Sequence, residues 1–74
     1  MIEDYRPGDT IQLLLQGSHA ASVMNEWWEG NRECDLRLRR AKTKGCVVLE
    51  ITDLMFAARI VRMYQDVKVK IKKQ

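Results

Sequence analysis

The sequence predicts a small α+β protein whose elements follow the order β-α-β-β-α-β. Two observations carry this prediction. Segments with the two-residue alternation of a strand succeed segments with the 3.6-residue period of a helix in that order. Glycine or helix-capping residues also stand at most of the predicted boundaries. The length of 74 residues suits one domain with a thin core.

The first half of the chain predicts a strand followed by an amphipathic helix. Residues 1–9 are interpreted as a polar lead-in, and residues 10–74 as the single domain. Thr10 to Gln16 alternates as a strand and ends before Gly17. Ser18 is expected to cap a helix that runs to about Glu29. The side chains expected on its inner face are Ala20, Val23, Met24 and Trp27.

The second half predicts a hairpin, a second helix and a last strand. Residues 34–40 and 46–52 are expected to pair across a turn in which Gly45 takes a positive φ. Thr52 or Asp53 is expected to cap a helix that runs to about residue 65, and residues 67–72 alternate as the fourth strand. The inner face of this helix is expected to carry Ala57, Ile60, Val61 and Tyr64.

This order of elements is the split β-α-β pattern of a ferredoxin-like fold. We therefore expect a four-stranded antiparallel sheet of order 4-1-3-2, with both helices on one face and the other face open. Alternation assigns these side chains to the open face: Gln12, Leu14, Gln16, Asp35, Arg37, Arg39, Val48, Glu50, Thr52, Lys68, Lys70 and Lys72. The second and fourth strands form the edges, which gives this face basic margins.

The leading hypothesis is a non-enzymatic binding protein whose basic sheet face engages nucleic acid or an acidic protein surface. It depends on the cations of the edge strands, which are Arg37, Arg39, Lys68, Lys70 and Lys72. Such side chains can follow phosphates and release their counterions. They can equally be charges that prevent edge-to-edge aggregation, and the sequence leaves both interpretations open. No aromatic residue is expected on the central strands, which excludes base stacking of the kind used by RNA-recognition motifs.

The alternative hypothesis is a protein-interaction module, such as a phage- or mobile-element-type inhibitor or adaptor of a larger complex. It depends on Trp28, at the edge of the helix's apolar arc, and on an apolar strip formed by Leu14 and Val48. A homodimer through the open face is also possible on this interpretation. Repulsion between the lysine margins of the two copies would oppose it unless Glu50 and Asp35 of one copy pair with the lysines of the other. A small-ligand regulatory domain would require such a dimer.

Catalytic, metal-binding and membrane functions find little support in the sequence. There is no nucleophile–base pair and no glycine-rich phosphate cradle, so we expect no enzyme and no cofactor. Cys34 and Cys46 lack the paired spacing of zinc ligands and are expected to be free thiols in a cytoplasmic protein. His19 is expected at the surface. No apolar run approaches a membrane span, so no membrane partner is expected.

Overall fold

The computed structural model describes residues 2–74, and its elements follow the predicted order. A short 3-10 helix, Ile2–Asp4, precedes β1 (Thr10–Gln16), α1 (Gly17–Gly30), β2 (Leu36–Arg40), β3 (Cys46–Ile51), α2 (Leu54–Met63) and β4 (Lys68–Lys72). The predicted α+β class, with two helices and a four-stranded antiparallel sheet, is confirmed. The predicted ends of the elements differ from the observed ones by one or two residues, and those of β1 agree.

The sheet has the strand order β2-β3-β1-β4, and every pairing is antiparallel. Ile11 on the central strand β1 lies opposite Ile51 on β3 and Ile71 on β4. The strands rich in arginine and lysine, β2 and β4, are therefore the two edges. This arrangement separates the cations of β2 from those of β4 by the width of the two central strands.

Both helices cover one face of the central strands. The buried apolar residues are Ile11, Leu13, Leu15, Ala20, Val23, Leu49, Ile51, Phe56, Ala57 and Ile60. Alternation along β1 predicted that Ile11, Leu13 and Leu15 belong to this core. Phe56, in contrast, was not expected on the inner face of α2. Leu38 projects toward the helix side, as the alternation of β2 predicts, but 54% of it is exposed. The edge strand lies beyond the cover that the helices provide.

The ends of the helices follow local hydrogen bonding. Asp53 caps α2, since its Oδ1 accepts a hydrogen bond of 2.8 Å from the backbone N–H of Phe56. The prediction that Ser18 caps α1 is wrong, because the helix begins at Gly17 and no side chain caps it. The N–H of Gly17 donates instead to the carbonyl of Gly45, at 2.9 Å. Gly45 itself has a φ of +79°, as expected for this turn.

The segment before β1 lies against the sheet rather than extending away from it. Met1 lies outside the described residues, but Ile2 and Tyr5 pack on the core, and the Tyr5 hydroxyl donates to the carbonyl of Thr52 at 2.7 Å. Asp9 is 4% exposed and pairs with Lys73 at 3.0 Å. The ion pair between Asp9 and Lys73 thus connects the predicted lead-in to the residue that follows β4.

Candidate functional site

The open face of the sheet carries the side chains that alternate with the core. Cross-strand pairing arranges them in two rows, Lys70–Gln12–Glu50–Arg37 and Lys68–Leu14–Val48–Arg39, with Lys72 opposite Thr10 in the next row. The structure therefore brings together Arg37, Arg39, Lys68, Lys70, Lys72, Leu14 and Val48 on one surface, as their sequence positions predicted. Trp28 lies on α1, in the helix layer on the other side of the sheet.

Glu50 occupies the centre of this face and is only 8% exposed. Its Oε2 accepts a hydrogen bond of 2.8 Å from Gln12 Nε2 and lies 3.3 Å from Arg39 Nη1. The hydrogen bond from Gln12 holds the pKa of Glu50 below its ordinary value against the opposing effect of burial, and Arg39 contributes in the same direction. The centre of the face is therefore a buried anion with two partners, and the apolar strip of Leu14 and Val48 stops there.

The cations at the margins lack partners of this kind. Lys68, Lys70 and Arg37 are exposed, and within residues 2–74 none of their side chains makes a hydrogen bond or an ion pair. Lys68, Lys70 and Lys72 occupy every second position of β4, so their side chains leave the backbone about 7 Å apart. A row of unpaired cations with this spacing can contact successive charges on an extended polyanion.

One concavity on the open face is lined only by apolar, neutral polar and cationic residues. We call it the Leu14 groove; its volume is about 400 Å³, and it is lined by Gln12, Leu14, Arg40, Ala41, Lys42, Thr43, Val48, Lys68, Val69 and Lys70. Leu14 and Val48 form its floor, because they are directly paired on the two central strands. Since β2 and β4 are opposite edges, the loop after β2 and the lysines of β4 form opposing walls.

A second concavity, toward the other end of the same face, has mixed charge. It also measures about 400 Å³ and is lined by Gly8, Thr10, Asp35, Arg37, Glu50, Thr52, Lys72, Lys73 and Gln74. Asp35 and Glu50 offset the cations there. Glu50 lines this second concavity, and Gln12, its hydrogen-bond donor, lines the Leu14 groove. Because the Leu14 groove has no acidic residue in its lining, it is the concavity better suited to an anion.

The helix layer carries exposed apolar side chains. Trp28 is 60% exposed, and the guanidinium carbon of Arg32 lies 4.8 Å from its ring centroid. Trp27 packs against the core as predicted, and its Nε1 donates to the carbonyl of Cys34 at 2.8 Å. Met55, at the first turn of α2, is 80% exposed. Trp28 and Met55 are thus exposed on the helix side, away from the open sheet face.

His19 and Cys34, the remaining candidates for catalysis or metal binding, make contacts within the fold. His19 is half-buried rather than fully at the surface: its ring stacks on Tyr64 with centroids 4.3 Å apart, and its Nδ1 lies 3.8 Å from Asp66. Burial raises the pKa of the Cys34 thiol, which makes it a weak nucleophile at neutral pH. Within residues 2–74, His, Cys, Asp and Glu side chains form no group of three suited to a metal ion. Nor does any helix in that range have the length and apolarity to cross a bilayer.

No protein-family model, curated protein or solved structure matches the chain. The functional argument therefore depends on the geometry of its own residues, above all on those of the open sheet face.

Proposed function

We propose that this protein is a non-enzymatic binding protein whose open sheet face binds the phosphate backbone of single-stranded nucleic acid. The observation that carries the proposal is the row of exposed lysines on β4, with the ammonium groups of Lys68 and Lys70 free of hydrogen bonds and ion pairs within residues 2–74. Arg37 and Arg39 extend the positive charge to the opposite edge. Each phosphate that these side chains neutralise would release condensed counterions, which is favourable at low salt.

An extended single strand suits this surface better than a duplex does. The lysine spacing of about 7 Å along a β-strand is comparable to the separation of adjacent phosphates along a single or a paired strand, so the preference for a single strand depends on the groove. A groove with an apolar floor lies directly beside the lysines, and the ring face of an unpaired base can contact such a floor. An acidic protein surface would also satisfy the cations, but its carboxylates carry no flat ring for the adjoining apolar floor.

The surroundings of the titratable groups support the proposal that the protein does not catalyse a reaction. A general base works best when its pKa lies near the operating pH. Glu50, the buried carboxylate of the face, has a lowered pKa because Gln12 and Arg39 hold its anionic form. Cys34 has a raised pKa, which removes it as an activated thiolate.

We also propose that the topology is the ferredoxin-like split β-α-β arrangement. The strand order and the position of both helices over β1 and β3 support it. A cytoplasmic location belongs to the same proposal, since Cys34 and Cys46 are both free thiols.

Fluorescence anisotropy with labelled oligonucleotides at low and physiological salt tests the binding proposal. We expect salt-dependent binding of a single strand, and a double variant, Lys68→Glu with Lys70→Glu, should weaken it by roughly tenfold or more at low salt. If two phosphate contacts are lost, the slope of log affinity against log salt should shrink by about 1.4.

The matched control is Arg32→Glu with Arg62→Glu, which changes the net charge equally on the helix layer. This control should retain most of the affinity. Equal losses in both double variants would mean that net charge alone attracts the oligonucleotide, and the sheet face would not be the site. Absence of binding even at low salt, or tighter binding to a duplex, would overturn the proposal for single strands.

A second candidate function is protein binding through the helix layer. The exposure of Trp28 and Met55 favours it, because aromatic residues and methionine are enriched in interface cores. This surface lies opposite the open sheet face, so the two functions predict effects from different substitutions.

A further inference from the structure

The Leu14 groove differs from the rest of the open face because it combines an apolar floor with cations on both sides. Leu14 and Val48 are half-buried and paired side by side on the central strands. Lys68 and Lys70 border them on one side, and Lys42 borders them from the loop after β2. Its lining includes four cationic residues and no acidic one. A ligand that fits must therefore present an apolar surface flanked by negative charge.

We propose that the Leu14 groove holds one nucleobase of the bound single strand, with the phosphates on either side of that nucleotide contacting Lys68 and Lys70 along β4. This inference rests on the proposed function and names the ligand of one part of the same face. A nucleotide within a strand is a flat, weakly polar ring with a phosphate on each side. That matches an aliphatic floor beside Lys68 and Lys70, which are about 7 Å apart along β4, with Lys42 on the far wall beyond the base. The groove's volume of about 400 Å³ also lies within the range of small-molecule pockets, about 300–1,000 Å³.

Hydrogen-bonding groups at the margin of the floor suit the edge of a base. Gln12 donates its Nε2 to Glu50, which fixes the amide and leaves its Oε1 as an acceptor. Thr43, on the facing loop, contributes a hydroxyl to the lining. A base on this floor can therefore pair its edge with neutral groups while its ring contacts Leu14 and Val48. An acidic peptide would place carboxylates against the cations but would leave the flat floor poorly filled.

The test compares three ligands of matched charge by competition anisotropy: a short single-stranded oligonucleotide, the abasic strand of equal length, and an acidic peptide. The natural strand should bind about fivefold to tenfold more tightly than the abasic strand, which is near the lower end of the effect of stacking on an aromatic side chain. Leu14→Ala should remove most of this difference and leave the affinity for the abasic strand unchanged. Leu38→Ala, an equal truncation on the other side of the sheet, should change neither affinity.

Each outcome separates this inference from the function on which it rests. Equal binding of the natural and abasic strands would overturn the base site while leaving the phosphate-binding face intact. Failure of both strands to bind would overturn both, and preference for the acidic peptide would assign the groove to a protein ligand. Circular dichroism checks that each variant is folded. If Leu14→Ala unfolds the protein, Val48→Ala tests the same floor from the neighbouring strand.

Discussion

Replacing Glu50 by glutamine tests whether the central anion restrains the basic face. The substitution removes the negative charge at the centre of the face but keeps a carbonyl that can accept the hydrogen bond from Gln12. In the protein, Arg39 Nη1 lies 3.3 Å from Glu50 Oε2, and the Arg39 side chain is 58% exposed. A phosphate that binds Arg39 must therefore compete with this carboxylate.

The size of the effect follows from the strength of that competition. A partly exposed ion pair contributes about 0.2–1 kcal/mol, and releasing it should make that amount available for binding phosphate. We therefore expect Glu50→Gln to raise the affinity for single strands by about 1.5- to 5-fold at low salt. If the freed Arg39 gains a phosphate contact, the salt slope should steepen by about 0.7.

Fluorescence anisotropy measures both quantities, and urea unfolding measures the accompanying loss of stability. We expect that loss to be about 1–2 kcal/mol, because the charged hydrogen bonds of a nearly buried group are weakened. Glu29→Gln provides the matched control, since Glu29 is an exposed carboxylate on α1. An unchanged affinity for Glu50→Gln would refute the reasoning, as would an equal increase for Glu29→Gln, which would reflect net charge alone.

Two further predictions concern acid stability and the paired tryptophans. The hydrogen bond from Lys73 lowers the pKa of Asp9, and that from Gln12 lowers the pKa of Glu50. Their stabilisation is therefore complete above their ordinary pKa values, 3.8 and 4.5, and it is lost as pH falls through the lower values of the folded protein. Urea unfolding across this pH range should show that loss of stability. In Asp9→Asn the free energy of unfolding should depend less on pH, and the same pH dependence in both proteins would contradict the role of Asp9. Trp28→Ala should change neither the free energy of unfolding nor the free energy of oligonucleotide binding by more than about 0.5 kcal/mol relative to the unsubstituted protein. Trp27→Ala should lower the free energy of unfolding by about 3 kcal/mol, because it leaves a cavity against the core. A large loss of oligonucleotide affinity in Trp28→Ala would mean that the strand reaches the helix layer.

The membership of the open face could be predicted because alternation along a strand fixes which side each residue faces. Cross-strand neighbours then follow once the hairpin and the strand order are known. Leu38 marks the limit of this reasoning: its side was predictable, but its exposure depends on how far the helices extend over the edge strand.

The features that shape the candidate site depend on contacts between residues far apart in sequence. Glu50 is buried because Gln12, on another strand, and Arg39, across the hairpin, both contact it. Asp9 is buried because Lys73 and Gln74 return to it from the end of the chain. Neither segment alone indicates these partners. The Leu14 groove likewise requires a loop and an edge strand to face each other across two central strands.

Under the proposed function, the buried carboxylate at the centre of the basic face has a role beyond stability. Desolvating a charge is costly, and an ion pair of this kind is often no more stabilising than well-packed apolar residues. At this position, Glu50 interrupts the apolar strip of Leu14 and Val48 and fixes the amide of Gln12 beside the groove. It also balances Arg39, so that the cations without partners lie at the margins. An apolar residue in its place would extend the strip across a flat, open sheet, which favours association with other hydrophobic surfaces. The acid thus limits the apolar floor to a single groove, which under the proposed function would favour a ligand that places one small ring beside its charges.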